Sequence, residues 1–104
     1  MTRIFKIMAR PDWERALCLG RLDGSAVDIA DGFIHFSTAD QLAETARRHF
    51  AGQADLLVLE VEADRLGPAL RWELSRGGAP FPHLYAPLDV TCVVCVQALD
   101  SPAS

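Results

Sequence analysis

Two histidine-containing segments carry most of the side chains that could do chemistry. In the first, residues 32–37, the alternation of a β-strand places Phe33, His35 and Ser37 on one face. An imidazole and a hydroxyl are then two polar groups on an otherwise apolar strand, where they could bind a ligand. The same pattern is typical of a core histidine whose ring forms a hydrogen bond with a backbone carbonyl. The residues alone favour the two interpretations about equally.

The two hydroxyl residues after this strand also mark the start of a helix. Ser37 or Thr38 is expected to cap it, with Asp40 or Gln41 near the first turn. A helix N-terminus leaves backbone N–H groups free for a phosphate or another anion. We therefore expect a helix cap here, and contact with a ligand would be an additional role.

The second histidine-containing segment extends from Arg71 to Tyr85 and begins with a charged pair. Arg71 and Glu73 share one face of a predicted strand, with Trp72 between them. The spacing favours a solvated ion pair, worth well under about 1 kcal/mol. The alternative is a carboxylate at the edge of a cleft, beside an aromatic wall formed by Trp72.

A proline-containing stretch follows a flexible glycine-rich loop at residues 77–80. If the stretch is extended, Phe81, His83 and Tyr85 lie on one side. Two aromatic rings and an imidazole after such a hinge could form a lid over a planar ligand. A proline-stiffened edge strand explains the same residues equally well.

The cysteines and the remaining histidine do not indicate a metal or redox site. Cys92 and Cys95, three apart on a predicted strand, point to opposite faces, and Cys18 alone cannot complete a zinc set. His49 follows two arginines at the border of a helix's apolar stripe, so we expect it at the surface. No metal is assigned.

Composition limits the remaining possibilities. The chain has 104 residues, of which 50% are hydrophobic and 23% charged, as expected for one globular domain over residues 1–104. We expect an ordered core over about residues 3–99 and a frayed C-terminal tail. The net charge of −4 argues against non-specific nucleic-acid binding, which needs a basic face.

The sequence also predicts the cellular location of the protein. No apolar run approaches the ~18 residues that a membrane helix needs, and the N-terminal residues lack the apolar core of a signal peptide. An odd number of cysteines suits the reducing cytoplasm, which is the expected location. A monomer is the default expectation.

Hydrophobic periodicity predicts an α+β fold with a mainly antiparallel, split sheet and two principal helices. A loop at residues 21–31 is long for a connector, so we expect it to line a ligand site. The helices are predicted from Pro11 to Gly20 and from Ser37 or Thr38 to about Phe50. The predicted strands span residues 3–8, 32–37, 55–62, 70–74, 81–85 and 88–99.

Several of these segments together resemble one bacterial family. They are Asp-Gly-Phe-Ile-His-Phe-Ser-Thr-Ala-Asp-Gln at residues 31–41, Trp72-Glu73, and Phe-Pro-His-Leu-Tyr at residues 81–85. The family is domain of unknown function 952, small cytoplasmic proteins with no established activity. The resemblance covers residues 3–98.

More distantly, the sequence is similar to a compact member of the ADP-ribosyltransferase-like superfamily, whose split α+β sheets surround an NAD cleft. By that resemblance, His35 together with Ser37 or Thr38 would hold the ribose or phosphate of a nucleotide. The fold would then be ADP-ribosyltransferase-like, and NAD would be a substrate or ligand.

The same resemblance assigns Glu73 to the acidic position that orients the ribose. Glu73 and His35 would be catalytic, because breaking the bond between ribose and nicotinamide builds an oxocarbenium-like cation that a carboxylate stabilises. Tyr85 or Trp13 would stack on the nicotinamide. The expected ligand-binding residues are Ser37, Thr38, Trp13, Trp72, His83 and Tyr85.

The function expected from the sequence is therefore a nucleotide-binding domain that transfers or hydrolyses ADP-ribose. A non-catalytic small-molecule-binding or protein-interaction module is the main alternative. A third possibility is a metal-dependent hydrolase that uses His35, His83 and Glu73.

Overall fold

The strands of the computed structural model form three antiparallel sheets within residues 2–74 and 78–99, the part of the chain that the structure describes. The first has the order β1-β4-β8, from Arg3–Ala9, Leu56–Glu62 and Val93–Ala98. The second pairs β2 (Arg21–Leu22) with β7 (Leu88–Asp89). The third has the order β3-β6-β5, from Ile34–His35, Pro80–Leu84 and Leu70–Leu74.

The helices lie between these strands: α1 spans Arg10–Leu19, α2 spans Ala26–Asp31 and α3 spans Ala39–His49. Short 3₁₀ turns occupy Ala63–Arg65, Gly67–Ala69 and Val90–Cys92. The predicted α+β class with antiparallel pairing is confirmed. The two three-stranded sheets meet where Phe5 and Ser37 exchange backbone hydrogen bonds, each 2.8 Å long.

The alternation of β1 and β4 divides the apolar residues between two layers. Ile4 and Met8 of β1 share an inner face with the apolar residues opposite them on β4, and this face belongs to the main hydrophobic core with α1 and the third sheet. On the other face, Ile7 and Leu56 pack with Ala46 of α3. The inner core comprises Ile4, Met8, Trp13, Ala16, Leu22, Ile34, Phe36, Leu57, Leu59, Val61, Ala63, Leu84 and Leu88.

Both principal helices form where the sequence predicts them. Helix α1 has Pro11 in its first turn and ends at Gly20, whose φ of 80° is the left-handed conformation that glycine adopts without strain. In α3, Thr38 is the cap: its hydroxyl accepts from the Gln41 N–H, and the Gln41 side chain accepts from the Thr38 N–H.

The prediction of a loop over residues 21–31 is wrong, because the segment contains β2 and α2. Ser25 begins α2 with a capping box, in which its hydroxyl accepts from the Asp28 N–H and the Asp28 carboxylate accepts from the Ser25 N–H. A helix of six residues is too short to show an apolar stripe. The Ser-x-x-Asp spacing was the available signal.

The single strand predicted over residues 88–99 is also wrong. The Asp89 carboxylate accepts from both the backbone N–H and the hydroxyl of Thr91, at 2.9 and 2.8 Å, which closes a 3₁₀ turn between β7 and β8. The strand predicted over residues 32–37 is shortened to Ile34–His35. The predicted frayed tail after residue 99 lies outside the described residues, as does the first residue of the loop predicted at 77–80.

Candidate functional site

The candidate site lies on the face of sheet β3-β6-β5 opposite the core. His35 pairs with His83, His83 pairs with Arg71, and Phe81 pairs with Glu73, so alternation brings these side chains to one face. Ile34 and Leu84 point the other way, into the inner core. We call this surface the histidine face and define it by Phe33, His35, Arg71, Glu73, His83 and Tyr85.

Phe33 lies at the centre of the histidine face. Its ring stacks on His83, with centroids 4.1 Å apart and planes at 29°. It also contacts the rings of His35 at 4.5 Å and Tyr85 at 5.2 Å. Phe33 is thus in contact with both imidazoles, and His83 is buried while His35 remains partly exposed.

A buried ion pair between Lys6 and Asp28 contacts His35 and holds it in position. The Lys6 ammonium lies 2.8 Å from Oδ2 of Asp28, and the two side chains are only 6% and 2% exposed. Lys6 also donates to the backbone carbonyl of His35 at 3.2 Å. Asp28 Oδ1 accepts from the His35 backbone N–H at 3.1 Å and lies 2.6 Å from Nδ1 of its ring.

These contacts decide the charge of Asp28. Burial raises the pKa of its carboxyl group, but the hydrogen bond with His35 and the charge of Lys6 outweigh burial and hold the pKa well below its usual range. Asp28 is therefore ionised and can only accept, so Nδ1 of His35 must donate to it.

The other ring nitrogen of His35 faces a second carboxylate. Nε2 lies 3.0 Å from Oδ2 of Asp31, the last residue of α2, whose side chain is 50% exposed. Because ionised carboxylates only accept, donation from both nitrogens requires the imidazolium form of His35. The two carboxylates therefore lie where they can accept from both ring nitrogens when His35 is protonated.

Glu73 is held by two donors, His83 of β6 and Tyr85 directly after that strand. Its Oε1 accepts from the Tyr85 hydroxyl at 2.7 Å and lies 2.8 Å from Nδ1 of His83. The Tyr85 hydroxyl and then His83 hold the pKa of Glu73 below its usual range, against the opposing effect of desolvation, and the same hydrogen bond raises the pKa of Tyr85. Arg71 lies over the Tyr85 ring, 5.2 Å from its centre, and the side chains that hydrogen-bond Glu73 are Tyr85 and His83 rather than the predicted Arg71.

Two predicted ligand-binding residues lie away from the histidine face. Strand β3 ends at His35, and the Ser37 side chain is buried with its hydroxyl 2.9 Å from that of Thr45 on α3. Thr38 caps α3, as expected. The prediction that Ser37 and His35 share a strand face is therefore wrong.

The two tryptophans are also placed elsewhere. Trp13 is 8% exposed and belongs to the inner core, which leaves no open ring face for a nicotinamide. Trp72 alternates with Glu73 and so points to the opposite face of β5. The predicted wall of Trp72 beside Glu73 is wrong, and Tyr85 and Phe33 supply the aromatic surface instead.

Two cavities lie outside the histidine face. Trp72 lines one of about 300 Å³, together with Thr2, Ala63, Asp64, Gly67 and Leu70. The other, also about 300 Å³, lies between α3 and β8 and is lined by Phe5, Leu42, Val58, Glu60, Cys95, Gln97, Ala98 and Leu99. On the histidine face, the His35 and Glu73 side chains are 35% and 37% exposed, so this face is partly open to solvent.

The described part of the chain holds no group of three metal-ligating side chains, so His35, His83 and Glu73 do not form the ligand set of a hydrolase there. Over the same residues, no helix is long and apolar enough to cross a bilayer. Cys92 packs partly buried against the inner core, Cys95 lines the α3–β8 cavity, and Cys18 is exposed.

Comparison with known proteins identifies the family. A model of a protein family of unknown function, DUF952, matches residues 7–96. The chain belongs to the DUF952 family. This confirms the closer of the two resemblances found in the sequence.

Solved structures agree with this assignment. A crystal structure of protein CC0527 from Caulobacter crescentus is 56% identical, has a TM-score of 0.94 and covers 95% of this chain and 87% of that chain. A solution NMR structure of the same protein has a TM-score of 0.86 at 56% identity, over 96% of this chain and 86% of that chain. Among curated proteins, none matches the chain significantly.

In the DUF952 chain, three charged residues of the candidate site were missed by sequence reasoning, namely Lys6, Asp28 and Asp31. Lys6 stands between Ile4 and Met8 on the inner face of β1, and a charge in that alternating pattern indicates a buried partner. No comparable signal identifies Asp31, because its contact depends on how α2 sits against β3.

Proposed function

We propose that the histidine face binds a nucleotide of the NAD class and that Glu73 and His35 take part in cleaving its bond between ribose and nicotinamide. The observation that carries this proposal is an ionised carboxylate, Glu73, and a histidine oriented by two carboxylates, His35, on one face with aromatic rings between them. We place the reaction in the cytoplasm, where three free thiols stay reduced.

The residues of the face match the parts of such a nucleotide. The exposed Arg71 and a protonated His35 are cationic groups that suit the phosphates. Tyr85 is 42% exposed and offers a ring to a planar base or nicotinamide. Ser37, Thr38, Trp13 and Trp72 have no part in this arrangement.

Glu73 is suited to the chemical step. Loss of nicotinamide leaves a positively charged, oxocarbenium-like ribose, which an ionised carboxylate stabilises. Tyr85 and His83 keep Glu73 ionised and fix its position. With water as acceptor, the C–N bond breaks, a C–O bond forms, and the products are ADP-ribose, nicotinamide and a proton.

The test is an NMR titration of ¹⁵N-labelled protein with NAD, ADP-ribose and nicotinamide, with mass-spectrometric detection of products. We expect saturable shifts at His35 and Tyr85 and release of nicotinamide from NAD. Glu73→Gln should lower turnover by about 100-fold or more. Glu44→Gln, which changes an exposed carboxylate on α3, is the matched control and should leave turnover unchanged.

Absence of a response to all three ligands would overturn the proposal. Equal turnover in Glu73→Gln and wild type would overturn the catalytic part. Saturable shifts without product would instead establish a non-catalytic binding module. That alternative has its own support, because Glu73 is already held by two donors and the face is open to solvent.

A further inference from the structure

When the His35 ring is protonated, the charges around it leave one positive charge directed at Nε2. In that state Lys6 and the imidazolium are positive, whereas Asp28 is negative, and Lys6 and Asp28 are both buried. Asp31 neutralises the remaining charge from the solvent side. Of the two carboxylates on the ring, Asp28 is fixed by burial, while Asp31 is half exposed and can move away.

The helix itself gives no reason for an acid at this position. Asp31 is the last residue of α2, where the helix dipole disfavours a negative charge, and no basic residue stands in that turn. Gly32 follows with a φ of 87° and ends the helix. The contact with His35 is therefore what explains an acidic residue at position 31.

We propose that Asp31 occupies a phosphate subsite and that an anionic phosphate oxygen of the ligand replaces its carboxylate at His35 Nε2. The exchange conserves charge, since one anion leaves the imidazolium as another arrives. A neutral hydroxyl would leave the imidazolium without a counter-ion, so Asp31 acts as a specificity-determining residue that favours phosphorylated ligands. The inference rests on the proposed function in identifying the phosphate as that of a nucleotide.

The primary experiment measures binding of inorganic pyrophosphate at constant ionic strength, from the ¹⁵N shifts of the His35 ring. Because a half-exposed ion pair is worth up to about 1 kcal/mol, Asp31→Asn should tighten binding by about threefold to fivefold. Asp12→Asn is the matched control, since Asp12 is also 50% exposed and ion-paired, with Arg15 on α1. The control should bind pyrophosphate as the wild type does.

Equal or weaker pyrophosphate binding by Asp31→Asn would overturn the inference. Acetate under the same conditions tests whether the subsite prefers phosphate, and equal affinities for acetate and pyrophosphate would overturn that preference. We expect pyrophosphate to bind more tightly.

A second titration separates this inference from the proposed function. Asp31→Asn should improve binding of NAD but leave that of phosphate-free nicotinamide riboside unchanged. If NAD binds the wild type and Asp31→Asn brings no gain, the subsite is wrong and the function stands. If Asp31→Asn tightens pyrophosphate while NAD binds neither protein, the subsite stands and the function is wrong.

Discussion

Lys6 and Asp28 place two opposite charges where either one alone would cost several kcal/mol. The pair also fixes His35, since Asp28 accepts from both the backbone and the ring of that residue. An imidazole on an open surface would otherwise choose among several rotamers. The buried pair therefore limits the directions in which Nε2 can point.

Replacement of Asp28 tests this dependence. We expect Asp28→Asn to destabilise the fold by about 3–5 kcal/mol at pH 7, because Lys6 stays buried without its counter-ion. The double variant Lys6→Met with Asp28→Asn should recover part of the loss. Urea denaturation measures both, and a loss below about 1 kcal/mol in the single variant would contradict the argument.

The pH dependence of the same variants gives a second measurement. The pKa of Asp28 is lowered by folding, so its contribution to stability is complete well above the unfolded value of about 3.9 and declines as the pH falls toward the folded value. Wild-type stability should therefore decrease below about pH 5. The double variant should show a shallower decrease over the same range, because the amide that replaces the Asp28 carboxyl group does not titrate.

At the scale of elements, α2 carries both carboxylates that face His35. Gly24 stands just before its cap with a φ of 114°, and a Cβ there would lie 2.6 Å from the Cβ of Asp28. The close approach lets α2 seat Asp28 against Lys6. A side chain at this position has to push the helix away.

Gly24→Ala should therefore disturb the site, whereas Gly52→Ala is a control with backbone strain alone. Gly52 has a φ of 79° and open space around its Cβ position, so its substitution should cost about 1–2 kcal/mol. Gly24→Ala should cost about 1–3 kcal/mol more, because overpacking is added. Chemical denaturation gives the costs, and His35 ring shifts in Gly24→Ala identical to the wild type would refute the displacement of α2.

Elements with a long periodic pattern could be predicted from the sequence, whereas short ones could not. Helices α1 and α3 and strands β1, β4 and β5 follow from apolar spacing and caps. Helix α2 was missed because six residues show no stripe, and the break before β8 depends on a side chain, Asp89, that bonds its own backbone neighbourhood.

The residues of the candidate site can likewise be divided into those that the sequence predicts and those that it does not. Alternation correctly grouped His83 with Tyr85 and Glu73 with Arg71 on common strand faces. Alternation also places Trp72 and Glu73 on opposite faces of their strand. The predicted aromatic wall of Trp72 beside Glu73 was therefore inconsistent with the strand pattern itself. Asp31 could not be found, because its contact depends on packing between elements rather than on any local pattern.

At the scale of the molecule, we expect stability to depend most on the central strand β4, which pairs with β1 on one side and β8 on the other. Leu59 of this strand is fully buried in the inner core, beneath the sheet that presents the histidine face. Loss of this packing should weaken the whole fold rather than the site alone.

Leu59→Ala should lower the free energy of unfolding by about 2–5 kcal/mol, from lost burial and the cavity left behind. Leu74→Ala is its control, because that side chain is 75% exposed and its truncation should change stability by about 0.5 kcal/mol or less. Urea midpoints compare the two. Similar midpoints for both variants would show that β4 is not the stability centre.

The burial of Lys6 has a practical consequence, because Lys6 is the sole lysine among the 104 residues. Its ammonium is 6% exposed and held against Asp28, so an acylating reagent reaches this amine only after the contact opens. When the contact closes faster than acylation occurs, the rate of lysine acylation in the native protein therefore reports the population in which α2 and β1 are apart. Acylation of this single lysine thus reports local opening of the contact between Lys6 and Asp28 beside His35.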